Sequence, residues 1–188
     1  MLWLVLILGY LLGSIPTAYL ASRWIQGRDI RQLGDANAGA ANTYREVGVK
    51  AGITVGIIDA AKGALAIALA HLAHLPQVMI LLTGLCAVLG HNWPVFLGFR
   101  GGRGVSTTIG VFFATLTGPM LIMTIPTIAT LFVTKNVSKA MAVLFIPLSG
   151  LSWWLGLSGL LIGFSILLPV IIGLTHLMRA RQLAHLHP

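Results

Sequence analysis

Every lysine and arginine of this chain falls in one of four windows, residues 23–62, 100–103, 135–139 and 179–181. The four acids, Asp29, Asp35, Glu46 and Asp59, all fall in the first. The stretches between, 1–22, 63–99, 104–134 and 140–178, hold no Lys, Arg, Asp or Glu at all. About 20 apolar residues of helix cross a bilayer, so the first stretch supplies one crossing and each of the others is long enough for two. That predicts seven crossings. Because lysine and arginine mark the cytoplasmic side, all four charged windows belong inside, with the N-terminus outside and the C-terminus cytoplasmic. The expected fold is all-α, a polytopic bundle of seven transmembrane helices forming one integral membrane domain over residues 1–188.

The turns on the far side are then neutral: His71 to Pro76, Thr117-Gly118-Pro119, and Trp153-Trp154-Leu155-Gly156, whose tryptophans suit the interfacial belt. The two crossings between Gly104 and Thr134 have only about 15 residues each, below the usual range. Short helices or a re-entrant pair satisfy that pattern. A cleaved signal peptide is the alternative for residues 1–22, but that segment lacks a basic leading region and is interrupted by Gly13-Ser14-Ile15-Pro16-Thr17, so an uncleaved anchor is expected.

Composition excludes several classes. With 57% hydrophobic and 9% charged residues and a mean hydropathy of +0.93, the chain does not read as a soluble domain. The net charge of +8 would suit nucleic acid only on a solvated face, and almost nothing here is solvated, so anionic lipid or a phosphorylated substrate is the expected partner. One cysteine, Cys86, rules out a disulfide framework within the chain and a multi-cysteine metal cluster.

Three polar segments carry chemistry. Leu89 to Thr107 contains Arg100-Gly101-Gly102-Arg103-Gly104 between apolar runs. Glycines let backbone amides approach an oxyanion, a helix starting near Gly104 aims free N–H groups at it, and arginine adds bidentate contacts. The spelling is neither a Walker A loop nor G-x-G-x-x-G. Gly34 to Arg45 combines small residues with Asn37, Asn42 and Arg45, which suits a loop over a polar ligand or an ordinary solvated turn. Asp59 and Lys62, three apart in an apolar helical run, are costly unless paired and mark a site or a structural pair.

Four strings in order carry a specific resemblance: Gly13-Ser14-Ile15-Pro16; Gly34-x-x-Asn37-x-Gly39-x-x-Asn42-x-x-Arg45; Asp59-x-x-Lys62-Gly63; and Leu89-Gly90-His91-x-x-Pro94-x-Phe96-x-x-Phe99-x-Gly101-Gly102-x-Gly104-Val105-x-Thr107. They resemble the bacterial acyl-phosphate:glycerol-3-phosphate acyltransferases, integral membrane enzymes, and the likeness continues more thinly through Val137-Ser138 and His176. The resemblance implies seven spans, placement in the bacterial plasma membrane with the site facing the cytoplasm, and a role in phospholipid synthesis. It implies transfer of a fatty acyl group from acyl phosphate to the 1-hydroxyl of sn-glycerol 3-phosphate, without acyl carrier protein, coenzyme A or metal. The family usually reads Gly-Ser-Gly-Asn where this chain has Gly34-Asp35-Ala36-Asn37, Thr at Ala41, Lys at Arg100 and Arg103, and a His-Arg-x-Asn-like string of which His176 persists, with Arg179 nearby as a substitute phosphate donor.

An acyl phosphate is already activated, so a catalyst has to hold two anions together, stabilise the departing phosphate and accept a proton from the attacking hydroxyl. Arg100, Arg103 and the amides of Gly101, Gly102 and Gly104 are the donor-side candidates. Asn37, Gly39, Asn42, Arg45 and Lys62 are the acceptor-side candidates, with Asp35 beside them as a repulsive carboxylate or a recognition group. Asp59 and His91 are further substrate-binding candidates, with Asp59 alternatively a structural pair to Lys62 that orients the loop, and His91 orienting the loop or acting as a base. Ser138 is a phosphate ligand or a helix N-cap, and His176 a catalytic group or an interfacial cap. Cys86 and His91 face different sides of a helix, and His71 and His74 lie across the membrane from His185 and His187, so neither pair reads as a site. An organic-anion transporter and a same-fold paralogue with another acceptor, or none, are the remaining readings.

Overall fold

The computed structural model describes residues 2–184, so His185 and His187 lie outside the described residues. The described chain is helical, without strands. Its helices are α1 (Leu2–Ser14), α2 (Thr17–Gln26), α3 (Ala40–Glu46), α4 (Val49–Leu72), α5 (Gln77–Asn92), α6 (Val105–Thr115), α7 (Thr117–Thr134), α8 (Val137–Phe145), α9 (Leu148–Trp154) and α10 (Gly159–Ala184). Six segments are long and apolar enough to cross a membrane: Leu2–Gln26, Val49–Leu72, Gln77–Leu97, Thr117–Thr134, Val137–Trp154 and Gly159–Arg179. The expected side chains face outward, for example Ile57, Ile125, Phe132 and Leu174. Many hydroxyls within the spans donate back to their own helix, as Thr127 does to the Met123 carbonyl at 2.7 Å, which satisfies them without water.

Two crossings differ from the sequence expectation. The second span begins at Val49 and carries Lys50, Asp59 and Lys62 along it, rather than beginning after residue 62. Pairing and burial of Asp59 and Lys62 let a helix with internal charges count as apolar toward its surroundings. The hairpin over 104–134 divides unevenly into 11 and 18 residues. At 1.5 Å per residue α6 is about 16 Å long, roughly half a hydrocarbon core.

α1 packs along α5 and α4 along α6, each at close range. A Cβ on Gly90 would overlap the Tyr10 carbonyl, and one on Gly110 the Ala60 carbonyl, so small residues set both crossings. Phe112 of α6 is fully buried and meets Phe145 and Phe164 edge-on at centroid distances of 6.1 and 6.0 Å, joining α8 and α10 to the core. The first span is broken at Ile15-Pro16, because proline supplies no N–H and biases the preceding residue away from helix. That break and the loops at the same end of the bundle build the site.

Candidate active site

The broken first span exposes the Ile15 carbonyl inside the protein, and Lys62 Nζ donates to it at 3.0 Å. The same ammonium lies 2.8 Å from Asp59 Oδ1, and the two side chains are 5% and 1% exposed. Thr17, two residues after the break, donates its hydroxyl to Asp59 Oδ1 at 2.5 Å. His91 Nδ1 stands 3.6 Å from that oxygen, beyond direct hydrogen-bond length. One buried carboxylate thus gathers α2, α4 and α5, while its Oδ2 is buried without a partner. Thr17 escaped the sequence reading; a threonine just beyond a helix-breaking proline, facing a charged helix, is the signal that was there.

His91 also shapes the glycine loop. Its Nε2 lies where a Cβ on Gly102 would sit, so that position admits only glycine while the ring stays put. Gly104, the N-cap of α6, takes φ +84, a left-handed conformation open to glycine in place of the usual extended cap. The loop is anchored at its base: Gly101 and Gly102 donate backbone N–H groups to the carbonyls of Asn92 and His91 at 3.2 and 3.0 Å. Gly13, Ile15, Thr17, His91, Gly101 and Gly102 wall a narrow cleft of about 10 Å3, room for about one water.

The Gly34–Arg45 segment closes over this cleft through Ala38. Asn42 is fully buried and holds the segment's shape: its Nδ2 donates to the carbonyls of Ile30, Leu33 and Asn37 at 3.3, 3.0 and 3.1 Å, and its Oδ1 accepts from the Asp35 N–H at 3.3 Å. With both ends of its amide engaged, Asn42 is a loop organiser rather than a free ligand. Asn37 is 7% exposed with Oδ1 unpartnered, and Gly39 is the extended N-cap of α3.

Asp35 ties the two loops together. Its Oδ2 lies 3.1 Å from Arg45 Nη2 and 3.2 Å from Arg103 Nη2. Two cations distant in sequence therefore converge on one anionic oxygen. Its Oδ1 and Arg103 Nε are buried without hydrogen-bond partners. A second strut, unseen in sequence, runs from Arg31: Nη2 pairs with Asp29 at 2.7 Å, and Nη1 donates to the Leu97 carbonyl at 3.0 Å. The Arg31 guanidinium holds the Asp29 carboxyl below its usual range, and the carboxylate in turn keeps Arg31 firmly charged.

The remaining candidates stand elsewhere. Arg100 is exposed and makes no side-chain hydrogen bond or ion pair among the described residues. Arg179, expected as a phosphate donor, gives its Nη1 to the Gly101 carbonyl and its Nη2 to the Asn92 carbonyl at 2.8 Å, so it fastens α10 to the loop. Asn92 adds a bond from Nδ2 to the Thr175 hydroxyl at 3.1 Å. Ser138 is exposed and is not the cap of α8; Asn136 fills that place, accepting from the Lys139 N–H at 3.1 Å. His176 is exposed on α10 beside buried Thr175 and makes no side-chain hydrogen bond or ion pair among the described residues.

The family model described as glycerol-3-phosphate acyltransferase matches residues 3–185. Two relatives come from Dehalococcoides mccartyi. Glycerol-3-phosphate acyltransferase 4 is 49% identical over 183 residues, covering 95% of this chain and 97% of the relative. Glycerol-3-phosphate acyltransferase 1 is 40% identical over 183 residues, covering 94% and 88%. Crystal structures of PlsY, an integral membrane glycerol 3-phosphate acyltransferase, are similar throughout. Its glycerol 3-phosphate form matches at TM-score 0.86 and 30% identity, covering 98% of this chain and 92% of that one. Its lysophosphatidic acid form matches at TM-score 0.83 and 28% identity.

Proposed function

The chain belongs to the glycerol-3-phosphate acyltransferase family, and from that premise we propose that it takes its acyl group from acyl phosphate and passes it to the 1-hydroxyl of sn-glycerol 3-phosphate, with lysophosphatidate and phosphate as products. It is an integral membrane acyltransferase of phospholipid synthesis. The observation that carries the site assignment is the convergence of Arg45 and Arg103, from the two polar loops, on one oxygen position held by Asp35. A pair of guanidinium groups around one oxyanion position is the arrangement a phosphate needs.

In this reading Arg103, Arg100 and the Gly104 N–H receive the donor phosphate, since the Gly101 and Gly102 amides expected there are engaged by the Asn92 and His91 carbonyls, and Arg45 with Asn37 and Gly39 receives the acceptor. The acceptor hydroxyl attacks the acyl carbon, the carbon–oxygen bond to phosphate breaks, and the departing phosphate takes the hydroxyl proton. No separate base is needed, and His91 acts by shaping the loop. Lys62, Asp59 and Asn42 hold the cleft's walls rather than touching the reacting atoms. Ser138 and His176 stand outside this set of ligands. The reading includes α6 as a short seventh crossing, the N-terminus outside, the C-terminus inside, and a site facing the cytoplasm at the plasma membrane of a bacterium, where the charged windows place it.

The test is turnover by purified protein with palmitoyl phosphate and labelled glycerol 3-phosphate, with palmitoyl coenzyme A and palmitoyl carrier protein as comparison donors. Product from acyl phosphate alone is expected. Arg103→Ala should lower turnover about 100-fold, the scale for one charge-stabilising donor, with partial recovery in Arg103→Lys. Near-normal turnover in folded Arg103→Ala would overturn the site assignment, and product from the thioesters alone would overturn the donor.

A further inference from the structure

Asp35 fills the oxyanion position that the proposed site offers to a substrate phosphate. Its Oδ2 is shared by Arg45 and Arg103, the two guanidinium groups that the proposed site offers to an oxyanion. The backbone presents it there between two left-handed residues, Gly34 with φ +54 and Ala36 with φ +53, the latter strained for a residue with a side chain. Two features show that this arrangement is exchangeable rather than permanent. The side chains of Arg45, Asp35 and Arg103 are 50%, 32% and 20% exposed, in contrast to the sealed Asp59–Lys62 pair, and ion pairs that meet water are individually weak. Arg103 Nε is buried with no acceptor among the described residues, so the carboxylate leaves donor capacity unused.

We propose that Asp35 is a specificity-determining residue: an internal monoanion that holds the two arginines until a dianionic phosphate monoester displaces it, and that shuts out monoanionic ligands. Two guanidinium groups and one carboxylate sum to +1. A free carboxylate or other monoanion offers the arginines no more charge than Asp35 does, and it competes against a group already fixed in place, whose effective concentration no solute matches. A phosphate dianion carries twice the charge and three acceptor oxygens, enough to bridge both forks and reach Nε. The carboxylate then swings toward water, which its partial exposure permits. The cost of displacing it appears as weaker binding of every anion and as strong discrimination by charge.

The proposal rests on Arg45 and Arg103 being phosphate ligands, and the experiment separates the two. Asp35→Asn keeps the shape and removes the charge, and Asp35→Ser removes both. In each, KM for glycerol 3-phosphate should fall about 3- to 10-fold, the scale for releasing two partly exposed pairs, with kcat changing less than KM. Thermal unfolding of the purified protein reads binding without turnover. Inorganic phosphate should stabilise the wild type while acetate and D-glycerate do not. In both variants the monoanions should begin to stabilise, narrowing the phosphate-to-acetate ratio. Asp35→Glu should behave as wild type. An unchanged ratio, or a raised KM in both neutral variants, overturns the role of Asp35 while leaving catalysis by the wild type intact. Absence of wild-type turnover and of any phosphate stabilisation overturns the phosphate site itself.

Discussion

Lys62→Met tests whether the buried pair holds the fold or meets the substrate. The ammonium and carboxylate stand 2.8 Å apart at 5% and 1% exposure. At that distance and an effective dielectric of about 20 their attraction is about 6 kcal/mol, much of it offsetting the desolvation of both charges. Removing one partner leaves the other's desolvation uncompensated, at a cost of about 3–5 kcal/mol, and also strips the Ile15 carbonyl of its donor. Methionine refills the methylene volume, so no cavity contribution arises. For a chain of this size the unfolding midpoint should drop by roughly 10 °C. The assay is thermal unfolding of purified protein in detergent or nanodiscs, with turnover measured below the variant's own midpoint. The neutral double variant, Asp59→Asn with Lys62→Met, should recover part of the loss, giving a coupling energy of about 2 kcal/mol. A Lys62→Met protein that keeps its midpoint within roughly 2 °C and yet loses all turnover would refute this reasoning and place Lys62 on the substrate.

Four further outcomes are expected. Because Arg31 depresses the Asp29 carboxyl below its unfolded value of about 3.9, that pair stabilises the fold above pH 4 and its contribution disappears as pH falls through the folded value; the unfolding midpoint between pH 6 and pH 3 should therefore fall less steeply in Asp29→Asn than in wild type. Ala36→Gly relieves a left-handed residue worth about 1–2 kcal/mol against the greater freedom of unfolded glycine, about 0.4–1 kcal/mol, so calorimetry should show a midpoint equal to or a few degrees above wild type, with a clear fall counting against the strain. Gly102→Ala forces the His91 ring or the loop aside and should reduce turnover by about 10- to 100-fold, the scale of a misplaced reacting group, with a smaller effect on unfolding. Cysteines placed at His74 and Gly156 should react with a membrane-impermeant maleimide from outside the cell; reaction of either only from inside would break the seven-crossing topology.

The sequence alone determined the class of fold and the local devices. Charges confined to four windows dictate membrane crossings, since a bilayer taxes charge wherever it occurs and the pattern is legible residue by residue. The helix start at Gly104 and the pairing of Asp59 with Lys62 are equally local, one a backbone conformation, the other a spacing of three on one helix. What only the tertiary structure decided is which distant groups share space. Asp35 meets Arg103 because Asn42 folds the first loop back and the close crossings of α1 with α5 and of α4 with α6 bring both loops to one end of the bundle. Arg179 spends its donors on the Asn92 and Gly101 carbonyls because α10 ends beside them, a fact no spacing encodes. The early start of the second span at Val49 was hidden because Lys50, Asp59 and Lys62 mark those residues as a polar window, and only the folded helix shows Asp59 and Lys62 buried within it.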